Sequence, residues 1–214
     1  MRGMWRTEWG LAREGFARIA GVDEAGLGPL AGPVVAAAVV LPQGRVIRGL
    51  ADSKRLTAGE RERLFEAISE RAISVGVGIV DARTIDRVNV LKASHMAMAA
   101  AVADLGEPPD LLLVDGRGWP GAPVVQRAIV GGDRTCASIA AASIVAKVTR
   151  DRLMAEIDAQ YPGYGFARHK GYGTKEHVAR LRDLGPCPEH RLSFAPVRQA
   201  LQEGLPVHGV EGLP

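Results

Sequence analysis

Two adjacent carboxylates, Asp23 and Glu24, follow a short apolar segment and precede a glycine-rich stretch. Burying such acids is costly unless a cation compensates their charge. Gly26 and Gly28 come soon after them, and a backbone without a Cβ can approach a ligand closely. Carboxylates beside accessible amides suggest a divalent cation with a phosphate or sugar nearby. The competing interpretation is a strand, a turn and a solvated pair of acids.

Two further aspartates occupy comparable positions. Asp115 follows the apolar residues 111–114 and precedes a glycine, and Asp133 stands at the entrance to an alanine-rich helix. Ligands of open α/β sheets bind outside the carboxyl ends of the strands. Taken singly, each acid could instead interact with a helix dipole or with solvent. Together with Asp23 and Glu24 they form a set of oxygen ligands, which suits Mg²⁺ or Mn²⁺ better than zinc. Two such ions, about 3.5–4 Å apart, commonly assist attack on a phosphodiester.

Strands and helices must alternate to position these acids. Apolar or alternating segments predict strands at 18–23, 34–41, 73–80, 111–114 and 124–130. Thr57 and Glu60 form a capping-box pattern that predicts a helix beyond them. A second helix is predicted over 86–105, with one face formed by Val88, Leu91, His95, Met98 and Val102, and a third over 137–160. The first two strands form a wide hairpin, so we expect an α/β fold with a mixed sheet flanked by helices.

Composition and charge narrow the class of protein. The 214 residues are 47% hydrophobic and 24% charged, which suits one globular domain. Cys136 and Cys187 form no CxxC pattern, so we expect a reduced, cytoplasmic protein. The longest apolar run is too short to span a bilayer.

Residues 147–198 carry ten Lys and Arg against six Asp and Glu, and this local excess of positive charge favours a polyanionic partner. We expect a frayed arm over 1–15, a catalytic domain over 16–203 and a mobile tail over 204–214.

Four segments together resemble one family, ribonuclease HII, the type 2 ribonuclease H of bacteria. They are GVDEAGLGPLAGPV at 21–34, DSK at 52–54, AAASIVAKVTRD at 140–151 and HKGYGT at 169–174. The resemblance covers residues 18–200. It implies a ribonuclease H-like mixed sheet flanked by helices, with a small C-terminal helical region.

The resemblance also implies an activity and its residues. The family hydrolyses the RNA strand of RNA–DNA hybrids and nicks DNA 5′ to an embedded ribonucleotide, leaving 5′-phosphate and 3′-hydroxyl ends. Its four metal-binding catalytic acids correspond to Asp23, Glu24, Asp115 and Asp133, with Mg²⁺ or Mn²⁺ as cofactor. Its junction-reading tyrosine corresponds to Tyr172. The expected partners are hybrids or ribonucleotide-containing duplexes, with no membrane and a monomeric protein.

The glycine-rich turn departs from the family pattern. The family has Gly–Arg–Gly, whereas this chain has Gly26–Leu27–Gly28. The glycines can still contact a ribose 2′-hydroxyl, but a guanidinium that suits phosphate is absent. Lys54 and Lys170 are candidate phosphate contacts, or simply solvated lysines.

Other functions remain as alternatives. A nuclease of the same fold could act on another structure, such as a DNA junction, and a protein with decayed activity could bind hybrids without cleaving them. A dinucleotide site lacks a GxGxxG motif. Zinc could be suggested by His169, His177 and His190, but their spacing fits no usual ligand pattern.

Overall fold

The computed structural model describes residues 2–51 and 53–202. Within them the strands are β1 (Ile19–Ala25), β2 (Val34–Val40), β3 (Ser74–Val80), β4 (Leu111–Asp115) and β5 (Gln126–Ile129). The α-helices are α1 (Arg6–Arg13), α2 (Ala58–Arg71), α3 (Ala82–Val88), α4 (Val90–Ala103), α5 (Ala137–Gln160), α6 (Phe166–His169), α7 (Lys175–Leu184) and α8 (Ala195–Gln202). Short 3₁₀ helices cover Arg2–Trp5, Ser53–Arg55 and Gly132–Arg134. Asp52 and the predicted tail at 204–214 lie outside the described residues.

The strands form a mixed sheet in the order β3-β2-β1-β4-β5. Strands β1 and β2 pair antiparallel, which confirms the predicted hairpin. Strand β4 runs parallel to β1, with Val22 opposite Val114, and parallel to β5. Asp23 and Asp115 each follow one member of that Val pair. The carboxyl ends of two neighbouring parallel strands therefore bring these aspartates to the same edge of the sheet.

Small residues allow the long helix α5 to lie close to the sheet. A Cβ built on Gly21 of β1 would lie 2.1 Å from the carbonyl carbon of Ser138, at the start of α5. All of β2 is buried, including its three consecutive alanines. Ala141 and Ile144 of α5 belong to the same core cluster as Val39. This close packing explains why the start of α5 is so rich in alanine.

The expectation of a frayed N-terminal arm was wrong. Residues 6–13 form α1, and the side chains of Trp5 and Leu11 are buried in two core clusters. The buried carboxylate of Glu8 accepts hydrogen bonds from the amide and hydroxyl of Ser138, at 3.0 and 2.9 Å. The segment is short and shows little periodicity, and the hydrogen bonds of Glu8 are made to a residue 130 positions away in sequence.

The predicted helix over 86–105 is two helices, α3 and α4. They are separated by Asn89, whose φ of 74° is left-handed and interrupts the helix. The predicted apolar face is confirmed in part, because Met98 and Val102 are buried whereas Leu91 is 62% exposed. Alanines of α4 are buried as well, and a Cβ on Gly78 of β3 would lie 2.0 Å from the carbonyl oxygen of Ala97. Close backbone contact therefore selects small residues here rather than large apolar ones.

The chain divides into two compact units. The first takes its described residues from 1–25, 35–79 and 95–148, and the second from 26–34, 80–94 and 149–202. The second unit has its own apolar clusters, one around Met154 and Phe166 and one around Leu181 and Val197. Helices α6, α7 and α8 in this unit agree with the predicted C-terminal helical region. The predicted boundaries at residues 15 and 203 stay predictions. In the described part of the chain, no helix is long and apolar enough to cross a membrane.

Candidate active site

Asp23 is a buried carboxylate near the end of β1. Its Oδ1 accepts the backbone N–H of Glu24 at 2.8 Å, and the side chain of Ser143 also hydrogen-bonds to it. The hydroxyl of Ser143 lies 2.8 Å from that of Ser53. Sequence reasoning missed this pair of serines, although Ser53 lies in the DSK segment and Ser143 in the helix segment. They hold the carboxylate of Asp23 in one orientation.

Three of the four predicted acids repel one another. The pKa of Asp23 is raised well above its ordinary value, first by burial and then by the negative charges of Glu24 and Asp115. Burial, followed by the charge of Asp115, raises the pKa of Glu24 to about 7. Lys54 opposes that rise. The structure therefore brings Asp23, Glu24 and Asp115 within electrostatic reach of one another at one edge of the sheet.

Asp133 joins the same unit through the turn before α5. The N–H of Gly132 donates to Oδ1 of Asp115 at 2.7 Å, so the residue before Asp133 is bound to Asp115. The side chain of Asp133 is buried, with Nζ of Lys54 4.0 Å from Oδ2 and Nε of Arg134 3.8 Å from Oδ1. The turn and strand β4 thus hold two of the acids in a fixed relation.

The chemistry of these side chains fits a divalent cation. Among the described residues, no group of three or more His, Cys, Asp or Glu side chains is itself positioned to hold a metal ion. However, the acids are oxygen donors, and burial and the neighbouring negative charges raise the pKa values of Asp23 and Glu24. A hard cation would relieve that repulsion and is the ligand such donors prefer. The residues that would hold it are Asp23, Glu24, Asp115 and Asp133.

The glycine-rich turn belongs to the second unit and contains two different glycines. Gly26 has a φ of 99°, and a Cβ there would lie 2.3 Å from Nε of the buried Arg150. Gly28 has no such φ, and its added Cβ would meet only the Tyr172 ring, at 3.9 Å. The side chain of Leu27 is 39% exposed. The fold therefore requires glycine at 26 but leaves open space at 28.

Tyr172 and Lys170 lie in the same unit as this turn. The Tyr172 side chain is 45% exposed, and the Arg150 guanidinium lies 6.0 Å from its ring centre. Lys170 is half-buried, with a left-handed φ of 53°, and its Nζ donates to the carbonyl of Asp151 at 3.3 Å. Tyr172 thus presents an aromatic face to solvent, whereas Lys170 already makes a contact within the protein.

His177 and His190, two of the three histidines that could suggest zinc, form hydrogen bonds with the backbone around Tyr172 and Cys187. Nδ1 of His177 lies 2.9 Å from the carbonyl oxygen of Tyr172, and Nε2 lies 3.1 Å from Nε2 of His190. Nδ1 of His190 accepts the N–H of Cys187. Burial lowers the pKa of His177 to about 4 and that of His190 to about 3. Both rings are therefore neutral near pH 7, and one proton between them completes the chain of hydrogen bonds.

Comparison with known proteins identifies the family. A family model described as Ribonuclease HII matches residues 20–197, which is most of the chain and includes both units. The chain belongs to the ribonuclease HII family. Ribonuclease HII of Geobacter metallireducens is 56% identical over 198 residues, covering 92% of this chain and 93% of that protein. Ribonuclease HII of Geobacillus thermodenitrificans is 58% identical over 198 residues, covering 92% of this chain and 76% of that protein.

Solved structures agree with this family and fold. Ribonuclease H2 of Pyrococcus horikoshii OT3 has a TM-score of 0.72 and 28% identity, covering 87% of this chain and 98% of that chain. Ribonuclease HII of Archaeoglobus fulgidus, solved as a complex with PCNA, has a TM-score of 0.70 and 26% identity, covering 84% and 96%. Bst-RNase HIII, solved in complex with Mn²⁺, is 20% identical and shows the fold alone, with a TM-score of 0.61 over 87% of this chain and 70% of that chain.

Membership of the ribonuclease HII family confirms the predicted function class. The protein is a ribonuclease H-type endonuclease, a hydrolase that acts on RNA–DNA hybrids. The family depends on divalent metal ions. The mixed sheet flanked by helices is likewise confirmed. The dinucleotide-binding and non-enzymatic alternatives are therefore set aside.

Proposed function

We propose that this ribonuclease HII cleaves 5′ to ribonucleotides embedded in DNA as well as within RNA–DNA hybrids, leaving 5′-phosphate and 3′-hydroxyl ends. Asp23, Glu24, Asp115 and Asp133 hold Mg²⁺ or Mn²⁺ for this reaction. The observation that carries the proposal is the electrostatic one: the charges of Glu24 and Asp115 raise the pKa of Asp23, and the charge of Asp115 raises the pKa of Glu24. Such an arrangement costs stability unless a cation is bound.

The chain's own residues prepare the site for that ion. A bound divalent ion lowers the pKa of a coordinated water and stabilises charge on the phosphate oxygens. Ser143 orients the carboxylate of Asp23, and the Gly132 amide orients that of Asp115. Lys54 lowers the pKa of Glu24 and so favours the charged form that a metal needs.

We infer substrate contacts at Gly26, Leu27, Gly28, Lys54, Lys170 and Tyr172. The open space at Gly28 and the exposed ring of Tyr172 support contacts with a ribose and with a sugar or base. The exposed side chain of Lys54 supports a phosphate contact. The role of Lys170 is the least supported, because its ammonium group already bonds to a carbonyl oxygen.

Two properties of the whole protein are also proposals. We infer a monomer, since nothing in the proposed reaction requires a second copy. A reduced, cytoplasmic environment is supported by Cys136 and Cys187, which are both buried free thiols.

Cleavage of a labelled DNA duplex containing one ribonucleotide tests the proposal directly. We expect nicking with Mg²⁺ or Mn²⁺, no cleavage of the all-DNA duplex, and at least a hundredfold loss of rate in Asp23→Asn or Asp115→Asn, because a metal site contributes several kcal/mol to such hydrolysis. Asp81→Asn is the matched control, since Asp81 caps α3 and asparagine caps equally well. Near wild-type turnover of Asp23→Asn at saturating metal would refute the assignment of the four acids.

A further inference from the structure

Two arginines of the second unit are buried and direct their hydrogen bonds to the backbone. Arg150 and Arg191 are among the least exposed side chains of the protein. Every hydrogen bond that their guanidinium groups make within the described residues goes to a backbone carbonyl. Burying a guanidinium is costly unless its N–H groups find acceptors. The reaction proposed above gives neither arginine a role, so their position needs another explanation.

Arg191 bonds to the inner side of the glycine-rich turn. Its Nη2 donates to the carbonyl oxygens of Gly26 at 2.6 Å and Gly32 at 2.8 Å, and its Nη1 donates to that of Leu27 at 3.2 Å. Burial, and secondly the charge of Arg150, lowers the pKa of Arg191 to about 9. The side chain is therefore still charged near pH 7, and these are charge-assisted hydrogen bonds.

Arg150 joins this turn to the segment that carries Tyr172. Its Nε donates to the carbonyl of Pro33 at 2.9 Å and its Nη2 to that of Ala31 at 3.1 Å. Its Nη1 donates to the carbonyl of Lys170 at 2.9 Å. Both arginines thus bind carbonyls at the 31–33 end of the turn, where they share that of Pro33. Among the side-chain hydrogen bonds of the described residues, only those of Arg191 reach the carbonyls of Gly26 and Leu27.

The direction of these carbonyls fixes the direction of two amides. In a trans peptide the C=O and the following N–H point in opposite directions. Because the carbonyls of Gly26 and Leu27 point toward Arg191, the N–H groups of Leu27 and Gly28 point away from it. Neither N–H has a hydrogen-bond partner among the described residues. The turn therefore presents two free amide donors beside the open space at Gly28.

We propose that Arg191 is a positioning residue for ribose recognition: by binding the carbonyls of Gly26 and Leu27, it holds the next two amides toward the substrate. This inference rests on the proposed function, in which the turn contacts a 2′-hydroxyl. A lysine at 191 keeps the charge but supplies donors from a single nitrogen, so it cannot span the carbonyls that the planar guanidinium reaches. The fork geometry, rather than the charge alone, sets the selectivity for ribose.

The test is the ratio of two dissociation constants, measured in EDTA for an all-DNA duplex and for the same duplex with one ribonucleotide. We expect Arg191→Lys to reduce this ratio about tenfold, mainly by weakening binding to the ribonucleotide duplex, which corresponds to about 1.4 kcal/mol. Tyr164→Phe is the matched control. It removes one buried hydrogen bond of the same unit, to the carbonyl of Gly185, and should lower the Tm without changing the ratio.

The possible results distinguish a failure of the proposed function from a failure of the role of Arg191. A wild-type ratio near one would refute ribose selectivity by the protein, and with it the proposed function. A selective wild type and an unchanged ratio in Arg191→Lys, despite a lower Tm, would refute the role of Arg191 alone. If Arg191→Lys does not fold, amide hydrogen exchange of the wild type replaces it. The Leu27 and Gly28 amides should become protected by the ribonucleotide duplex but not by the all-DNA duplex, and equal protection would overturn the proposal.

Discussion

The two glycines of the turn are present for different reasons. Gly26 combines a left-handed φ with a close approach to Arg150, so the protein itself excludes a side chain there. At Gly28 neither the backbone nor the neighbouring atoms exclude a Cβ. The fold therefore does not explain glycine at position 28. The proposed sugar contact can explain it, because a side chain there would occupy the space of the sugar.

Alanine at these two positions should therefore have opposite effects. Gly26→Ala should destabilise the protein by about 3 kcal/mol, since it adds both strain and a clash. Gly28→Ala should leave the Tm unchanged or slightly higher, because alanine has less conformational freedom in the unfolded chain. It should nevertheless slow cleavage at a single ribonucleotide at least tenfold. Thermal unfolding measures the stability of each variant, and initial rates on the single-ribonucleotide duplex measure cleavage. A fully active Gly28→Ala would refute the proposed contact between Gly28 and the sugar.

Leu27→Arg should strengthen substrate binding. The side chain at 27 is 39% exposed, so an arginine would not need to be buried. A new phosphate contact contributes about 1.5–3 kcal/mol when well placed, and it steepens the dependence of log Kd on log salt by about 0.9. Kd values for the single-ribonucleotide duplex at two salt concentrations measure the effect. An unchanged salt slope with a lower Tm would instead mean that Leu27 serves packing.

For single residues, the sequence made the four acids candidates for the active site but did not identify the groups that hold the acids and the turn in place. Asp23 and Asp115 each follow an apolar strand, which is a local pattern that can be recognised without a structure. Arg191 and Ser143 could not be assigned in this way. Their contacts with the turn and with Asp23 depend on residues more than 100 positions away, and long-range contacts leave no periodicity in a sequence.

Helix α1 acts on the start of α5 through one carboxylate. Oε1 of Glu8 accepts both the amide and the hydroxyl of Ser138, in the first turn of α5, and so serves as a cap supplied by another element. Oε2 is buried and has no partner among the described atoms. Burial raises the pKa of this carboxyl. The two bonds need an accepting oxygen, and burial disfavours the negative charge that a carboxylate adds to it.

Glu8→Ala should destabilise the protein by about 2 kcal/mol, because it leaves the first amides of α5 uncapped in the core. For a chain of this size that corresponds to a fall in Tm of about 4–8 °C. Glu8→Gln retains an accepting oxygen and should stay within about 1 kcal/mol of the wild type. Differential scanning calorimetry of the two variants is the measurement. Equal losses would show that the charge of Glu8, and not its geometry as an acceptor, stabilises α5.

The elements themselves were predictable where the signal is local. The capping box of Thr57 and Glu60 is present as expected, and α5 has the predicted bounds. The break at Asn89 was missed because asparagine only permits a left-handed residue and does not require one. The buried alanines of α4 were missed because glycines of β3 lie against its backbone and select small residues there, and the sequence does not show which strand a helix packs on.

For the molecule as a whole, the acid cluster couples stability to pH and metal. The pKa of Glu24 is about 7 in the folded protein against an ordinary 4.5, so between these values the folded state holds a proton that the unfolded chain has released. The contribution of Glu24 to metal-free stability should consequently fall as the pH rises from about 5 to about 8, whereas the buried neutral His177 and His190 act in the opposite sense below about pH 6.5. Metal binding needs the charged carboxylates, so Mg²⁺ should raise the Tm more at about pH 8 than at about pH 6.

Glu24→Gln provides the control for this prediction. It removes the titrating group and leaves His177 and His190 in place, so the metal-free Tm of the wild type should fall relative to that of Glu24→Gln over this pH range. A difference in metal-free Tm between the two proteins that stays constant from about pH 5 to about pH 8 in EDTA would contradict the raised pKa of Glu24. An equal rise in Tm on adding Mg²⁺ at both pH values would show that metal binding does not depend on the charge of Glu24.

The bonds of Arg191 also have a consequence for biosynthesis. Its guanidinium meets a carbonyl 165 positions earlier in the chain, and the second unit is assembled from three separate segments. Synthesis proceeds from the N-terminus at about 5–20 residues per second, so the turn leaves the ribosome many seconds before its arginine. During that interval β1 and β2 can pair while the loop between them lacks its native hydrogen bonds. The hydrogen bonds of the glycine-rich turn are thus completed last, after the sheet that bears the acids.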